Sequence, residues 1–430
     1  MDNRNQKSFR NFINNLKNSN PKSLSAVLVV IGIVIVLAVG SIVSCSVNNA
    51  DTQTVSDTNT DPAYIATPVK ESSFKMSVAG DYIIYSSIYK GAQELAGGSG
   101  YDFYPMVQNL KQFTKDCDVN YYNQETVLAA FDGMEPSDYP MFVSPPEAGD
   151  AMVKLGYNLV STATNHAMDG GEQGILNSCK YWKKQNNVLM AGTYNSQKAR
   201  DEIKIKECNG ITYTMLNYTY DTNGIPVPEG KDYLVNVWPT NLSINNPEKD
   251  KKYQEYKKQV KKDIDAVRGQ VDFLIVAIHA GVEYQPLESA YQDDMAQFLS
   301  DNDVDLMIGT HPHVIEPARY VGDMMCYYSM GNLLCSQYQD ENYNKVTSIL
   351  STFTVKKSND NGKVKITLED MNNELLYCYF NQDTWRGHKV IPFSSSEIKE
   401  YLPEYKEVYK TYKNVFLKLD KTLPFAACAK

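Results

Sequence analysis

Val304-Asp305-Leu306-Met307-Ile308-Gly309-Thr310-His311-Pro312-His313-Val314 joins a short apolar run to a glycine turn and two histidines. A run of this length suits a buried strand, and the Gly-Thr-His-Pro-His after it places imidazoles where the strand ends. The same grammar recurs outward from it. Phe273–Ile278 leads into His279-Ala280-Gly281, and Leu159–Thr162 leads into Ala163-Thr164-Asn165-His166. Asp81 follows Phe74–Ala79, and Glu125 follows Val119–Tyr122. In open α/β sheets ligands bind in the crevice beyond the strands' carboxyl ends, so five strands are expected to deliver polar side chains to one rim.

Between these runs the period changes. Glu172–Gln185 carries Ile175, Cys179 and Trp182 on one helical face, and the charged Pro247–Arg268 carries Tyr253, Tyr256, Val260, Ile264 and Val267 as an apolar stripe. Residues 290–300 supply a third helix. Thr212–Asn217 and Met325–Tyr328 complete the strand candidates of an α/β domain. After about Asn344 come two more strands, Thr347–Lys356 and Lys363–Leu368, joined by a turn at residues 359–362. The last thirty residues read as a terminal helix or a loosely packed tail.

The N-terminal region is of another kind. Leu24–Val43 is twenty uncharged, mostly apolar residues, which as a helix spans about 30 Å, a bilayer's hydrocarbon core. Arg4, Lys7, Arg10, Lys17 and Lys22 precede it against a single acid, Asp2, which orients residues 1–23 to the cytoplasm and the chain beyond Val43 to the outside. Ile42-Val43-Ser44-Cys45 loosely resembles a lipobox, but the long apolar run and basic n-region favour an uncleaved single-pass anchor in the cell membrane. Residues 44–73 are rich in Asp, Thr, Ser and Asn and read as a solvated linker. The expected organisation is therefore tail 1–23, anchor 24–43, linker 44–73, main domain 74–344 and a β-rich extension of that domain at 345–430.

The formal net charge is −9, and without residues 1–23 it is near −13, which disfavours nucleic acid as a partner. Lys90, Lys111 and Arg319 are the candidates for a local basic strip. Eight cysteines with no C-x-x-C pair read as buried thiols with at most one disulfide among them. Four of the five histidines lie in the three strand-end motifs; the fifth, His388, reads as structural or surface.

An isolated histidine after a strand is ordinarily a hydrogen-bonded loop residue, and Asp81 alone can cap a turn. Together the set is a donor cluster of imidazole, carboxylate and amide groups without thiolate. That mixture suits Mn, Fe or Zn, and so many side chains suit two divalent ions rather than one. Paired metals lower the pKa of a bridging water and clamp an anionic oxygen, which is chemistry for hydrolysis.

Gly80-Asp81, Asn123-Gln124-Glu125, Thr164-Asn165-His166-Ala167-Met168-Asp169, His279-Ala280-Gly281-Val282-Glu283-Tyr284, Gly309-Thr310-His311-Pro312-His313-Val314 and Ser329-Met330-Gly331-Asn332 occur in that order. The series resembles the bacterial capsule-synthesis proteins of the CapA/PgsA type, which are similar to calcineurin-like metallophosphoesterases. The resemblance implies a metallophosphoesterase-like β-sandwich flanked by helices. It implies metal ligation by Asp81, Glu125, Asn165, His279, His311 and His313, with His166, Asp169 and Glu283 as catalytic candidates; Glu283 would contact substrate or hold a ligand's second nitrogen. It also implies a role in capsule or poly-γ-glutamate synthesis or export, beside other synthase subunits and an anionic polymer or phosphoester. The chain departs from the phosphoesterase pattern in having no histidine two residues after Asp81 and Glu125 in place of a bridging aspartate. A metal-dependent hydrolase and a non-catalytic metal-stabilised scaffold are the alternative readings.

Overall fold

The structure, a computed structural model, describes residues 71–337, 342–360 and 363–430. The tail, the apolar segment Leu24–Val43, Cys45, most of the linker and Asn361-Gly362 lie outside them. Among the described residues no helix is long and apolar enough to cross a membrane.

The chain is a mixed α/β fold. In chain order its strands are β1 (Ser72–Tyr82), β2 (Val119–Gln124), β3 (Val127–Leu128), β4 (Val143–Ser144), β5 (Leu159–Ser161), β6 (Leu189–Ala191), β7 (Lys206–Cys208) and β8 (Ile211–Thr219). They continue with β9 (Phe273–His279), β10 (Leu306–Thr310), β11 (Ala318–Val321), β12 (Met324–Tyr327), β13 (Asn332–Leu334), β14 (Thr347–Asp360), β15 (Lys363–Asn381) and β16 (Arg386–Pro392). One sheet runs β16-β15-β14-β1-β2-β5-β6 with β13 beside β1, and a second runs β11-β12-β10-β9-β8-β7. Each has a parallel heart, β1-β2-β5-β6 and β8-β9-β10-β12, with antiparallel strands at the margins.

The two sheets share a core. Phe74 of β1 lies 5.6 Å from the Tyr213 ring and 6.1 Å from Phe273, on strands of the other sheet. Burial of such rings is the main stabilising term, because each removes a large apolar area from water. The helices close the outer faces: α1 (Ser86–Leu95), α2 (Glu147–Leu155) and α3 (Gly171–Lys184), then α4 (Lys251–Arg268), α5 (Ala290–Ser300) and α6 (Tyr405–Phe416). Tyr253, Val260, Ile264 and Val267 of α4 pack with Met295 and Leu299 of α5 over the second sheet. Asp250 caps α4 by accepting from Tyr253 N at 3.0 Å, and Ser289 with Gln292 forms a capping box on α5.

Several boundaries differ from the sequence reading. The strand expected to end at Ala79 continues to Tyr82, because Asp81 pairs with Asn123 on one side and Asn332 on the other across a register shift. The expected strand Lys363–Leu368 runs on to Asn381, held between β14 and β16. Pro247–Arg268 divides into a 3₁₀ turn and α4 at Asp250, whose extended backbone makes it a cap. The terminal helix forms as α6, and the residues after it are not a loose tail. Asn373 donates to Pro424 O at 2.7 Å, Ala426 N donates to Asn373 O, and Leu423 is buried. All seven cysteines among the described residues are free thiols.

Candidate metal centre

The parallel hearts of both sheets present their C-terminal ends to one rim, and five strands carry the candidate residues there. Asp81 lies inside β1 near its end and His279 is the last residue of β9; Glu125 directly follows β2. Asn165 and His166 follow β5, and His311 and His313 follow β10. Two glycines permit the approach of neighbouring backbones. A Cβ on Gly80 would stand 1.9 Å from Gly331 O, and one on Gly309 would stand 1.9 Å from Tyr328 O. These glycines therefore serve strand contact, while Gly281 holds positive φ in a bend and Gly331 holds it where it bridges to Ser348. His311 and His313 are themselves left-handed, at φ 97° and 61°, a strained conformation that aims both rings.

Asp81, Glu125 and His313 offer one donor atom each within 4.8 Å of one another, and Glu283, His311 and His313 do the same, so His313 belongs to both groups. Its Nδ1 lies 3.7 Å from Asp81 Oδ2 and its Nε2 3.6 Å from Glu125 Oε1. Nδ1 also pairs with Asn332 Oδ1 at 3.0 Å. Asp81 accepts from Asn123 Nδ2 at 2.7 Å and from the His311 backbone N–H at 3.1 Å. Neither oxygen of Glu125 has a hydrogen-bond partner, although the residue is 1% exposed, and His311 Nδ1 is likewise unpartnered. A buried carboxylate without a donor is costly, so it marks a place that a cation would complete.

Charge tells the same story. Burial raises the Asp81 carboxyl to about 7, and it raises Glu125 well above the usual range, with Asp81 adding repulsion. Burial drives His313 down to about 3 and holds His279 and His311 well below an ordinary imidazole, each reinforced by the neighbouring histidines. The acid–imidazole proximities therefore do not act as ion pairs in the protein alone, because desolvation outweighs their attraction. Neutral imidazoles are ready ligands, and a divalent cation would reverse the penalty on the carboxylates. The donor set thus fits a metal ion. Its chemistry there would be to activate water and polarise an anionic oxygen.

Asn165 and His279 are brought to the rim but engage each other, with His279 Nε2 and Asn165 Oδ1 at 2.9 Å. His279 Nδ1 meets Thr310 Oγ1 at 2.9 Å. His166 stands slightly apart. Its Nδ1 is 2.7 Å from Asp169 Oδ2, which also accepts from Phe142 N at 2.6 Å, and the Phe142 ring packs edge-on against it at 4.8 Å. Asp169 therefore positions His166 rather than facing the donors. Glu283 is exposed at the open side, and its carboxyl is raised by partial burial.

Sequence reasoning missed Asn123, which links Asp81 to Ser161 and approaches His279 Nδ1 at 3.4 Å. Its signal was a polar residue inside a wholly buried strand. Asn223, 3.2 Å from Asn165 Nδ2, lies in a loop with no such signal. Asn332, singled out by its motif, does reach the rim. His388 is an ordinary buried residue, stacked 5.0 Å from Phe380 and bonded to Ser336.

Residues 75–337 match the family described as bacterial capsule synthesis protein PGA_cap. The chain belongs to that family. Relatives include the PGA biosynthesis protein CapA of Bacillus subtilis strain 168, 27% identical over 44% of this chain and 46% of that one. The capsule biosynthesis protein CapA of Bacillus anthracis is 23% identical over 76% of this chain and 71% of its own. The chain thus spans about half the length of the first relative. Among solved structures, GAP50, the anchor in the inner membrane complex of Plasmodium, aligns at 11% identity and TM-score 0.31, over 70% of this chain and 90% of that one. TT1561 of Thermus thermophilus aligns at 8% and 0.33, over 69% and 98%.

Proposed function

We propose that this capsule-synthesis family member is a membrane-anchored, extracytoplasmic component of capsule or poly-γ-glutamate synthesis, with two divalent metal ions at a metallophosphoesterase-like rim. The observation that carries the metal reading is Glu125, a fully buried carboxylate with Oε1 3.6 Å from His313 Nε2 and no hydrogen-bond donor to either oxygen. Family membership supports the capsule role, the relatives' names point to poly-γ-glutamate, and the apolar segment Leu24–Val43 supports the anchor.

Asp81, Glu125, His311 and His313 would hold the metals, with Asn165 and His279 behind them and Glu283 on the open side. When bound, the metals supply an activated water and neutralise developing negative charge. The chain's own residues do the rest. His166, held in one orientation by Asp169, would donate or accept a proton at its free Nε2, next to the reacting group. Phe142 shields one face of that ring from water. The substrate is an anionic one, a polymer or a phosphoester, met from the side where Glu283 and Tyr284 are exposed.

Metal analysis of the purified full-length chain, with phosphomonoester, phosphodiester and γ-glutamyl substrates, tests this reading. About two Mn, Fe or Zn per chain are expected, with turnover lost in His166→Ala while metal content is kept. A chain that binds no metal at all sinks it; stoichiometric metal without turnover on any substrate moves it to the scaffold reading.

A further inference from the structure

β8 lies beside β9 in the six-stranded sheet, with Thr219 opposite His279, so its C-terminal end arrives at the metal rim as well. The chain that follows is tied there at once. Tyr220 N donates to His279 O at 3.0 Å, and the Tyr220 ring lies 4.5 Å from the His311 ring.

A tight turn comes next, at Thr222-Asn223-Gly224-Ile225. Ile225 N donates to Thr222 O at 2.9 Å, Thr222 Oγ1 donates to Ile225 O at 2.7 Å, and Thr222 N donates to Asp221 Oδ1 at 2.7 Å. Asn223 and Gly224 both hold positive φ, 51° and 73°, the pairing that suits an Asn-Gly turn with left-handed central residues. Ile225 and Val227 pack on the apolar cluster that includes Ala163, Ala167 and Met168 from the segment after β5. A turn of one sheet is thus seated on a loop of the other. That seating holds Asn223 against Asn165 and His166, although Asn223 is itself exposed.

The two contacts of Asn223 differ in kind. Its Nδ2 lies 3.4 Å from His166 Nδ1, but that nitrogen donates to Asp169 Oδ2 at 2.7 Å and has no lone pair left to accept. Its Oδ1 accepts from Asn165 Nδ2 at 3.2 Å, and among the described residues it is the acceptor for that group. A carboxamide has two ends of similar size and opposite chemistry: the oxygen can hold a cation, and the NH₂ cannot. Asn165 presents Oδ1 to His279 Nε2 at 2.9 Å and Nδ2 to Asn223. Turned over, it would aim N–H donors at the metal centre. An acceptor at residue 223 favours the orientation that a ligand needs.

We infer that Asn223 is a positioning residue, which fixes the Asn165 amide with Oδ1 turned toward His279 so that Asn165 can serve as a ligand. The inference rests on the metal reading and goes beyond it, because it adds the loop after β8 to the five strands that carry the donors. The contact is a neutral, partly exposed hydrogen bond, so its effect on affinity is modest.

Mn²⁺ titrations of the chelator-stripped, full-length chain by calorimetry test this. The variants are N223G, N223D, N165A and the doubles N165A/N223G and N165A/N223D, with E229Q, exposed further along the same loop, as control. Glycine and aspartate both tolerate left-handed backbone, and circular dichroism with melting in chelator verifies that each variant is folded. N223G is expected to weaken one binding step about tenfold, the loss typical of a residue that holds a ligand in place, while E229Q is unchanged. N223D can only accept, and it is expected to recover the affinity that N223G loses. In the N165A background neither change at residue 223 should alter affinity further, because no amide remains to be oriented. Wild-type affinity in N223G overturns the inference, and so does a loss that adds in full to that of N165A. A recovery in N223D that is equally large in the N165A background is an effect of charge and overturns the orientation. A wild-type chain that binds no Mn²⁺ overturns this inference together with the metal reading, whereas normal metal binding with an indifferent residue 223 overturns this inference alone.

Discussion

The two sheets make unequal contributions to the rim. The eight-stranded sheet supplies the oxygen donors, Asp81 from β1 and Glu125 after β2, together with Asn165 and the clamped His166. The six-stranded sheet supplies the imidazoles His279, His311 and His313, with Glu283 on the open side after β9. Each half is unstable in its charged form for an opposite reason, since burial penalises carboxylate on one side and imidazolium on the other. The two halves meet at His313, which belongs to both donor groups. Their meeting yields a cluster that burial holds toward the uncharged forms, and a divalent cation there would draw the carboxylates to their charged form.

Disturbing the contact between neighbouring backbones should have the largest effect. Gly309→Ala places a Cβ 1.9 Å from Tyr328 O, and Gly80→Ala does the same at Gly331 O. Each is expected to cost about 4 kcal/mol or to prevent folding, because backbone cannot yield as a side chain can. Soluble yield and thermal melting check it; a wild-type melting temperature in either variant refutes the packing described.

Next in size is Glu125→Gln, which removes the oxygen sheet's unpartnered charge. Metal affinity is expected to fall on the order of a thousandfold, more than the roughly 10–100-fold loss typical of outer-shell partners. Melting in the presence of chelator should be unchanged or higher, since the variant no longer buries a carboxyl. If chelated wild type is instead the more stable of the two, Glu125 is a structural acid and not a ligand.

Asp169→Asn should reduce any metal-dependent turnover about a hundredfold, about 2.7 kcal/mol in the barrier, with metal content unmoved. It loosens His166 on the oxygen side without touching a donor. Loss of metal in this variant would place Asp169 among the ligands after all.

The smallest effect sharpens the contrast between rim and body. His388 sits in the eight-stranded sheet away from the donors, and burial, aided by Arg386, lowers its pKa to about 3. A histidine depressed on folding contributes stability that is complete above its unfolded value near 6.5 and is lost as pH falls toward 3. By pH 5 the wild type should have lost about 2 kcal/mol relative to His388→Gln, judged at pH 7. Denaturant titrations at both pH values measure this, and a gap independent of pH would mean that folding leaves the His388 pKa unshifted.

Much of the site was legible because each donor follows an apolar run, and a strand's length and end are written in local hydrophobicity. Asp81, Glu125, Asn165, His166, His279, His311 and His313 were found that way. Asn123 was not, because a polar residue within a buried strand gains its meaning from Asp81 across the ladder. The helix stripe of α4 was read from its period, whereas the continuation of β15 to Asn381 depends on pairing with β14 and β16.

By itself, then, the sequence determined the alternation of strands and helices, the residue types delivered at strand ends and the apolar N-terminal segment, since these follow from local pattern. Only tertiary structure decided which donors share a cavity. It left Glu125 without a hydrogen-bond partner, paired Asn165 with His279 and turned Asp169 toward His166. Those outcomes depend on burial and on contacts between residues far apart in sequence, and desolvation, which sets the charge of every group at the rim, exists only once the sheets have closed.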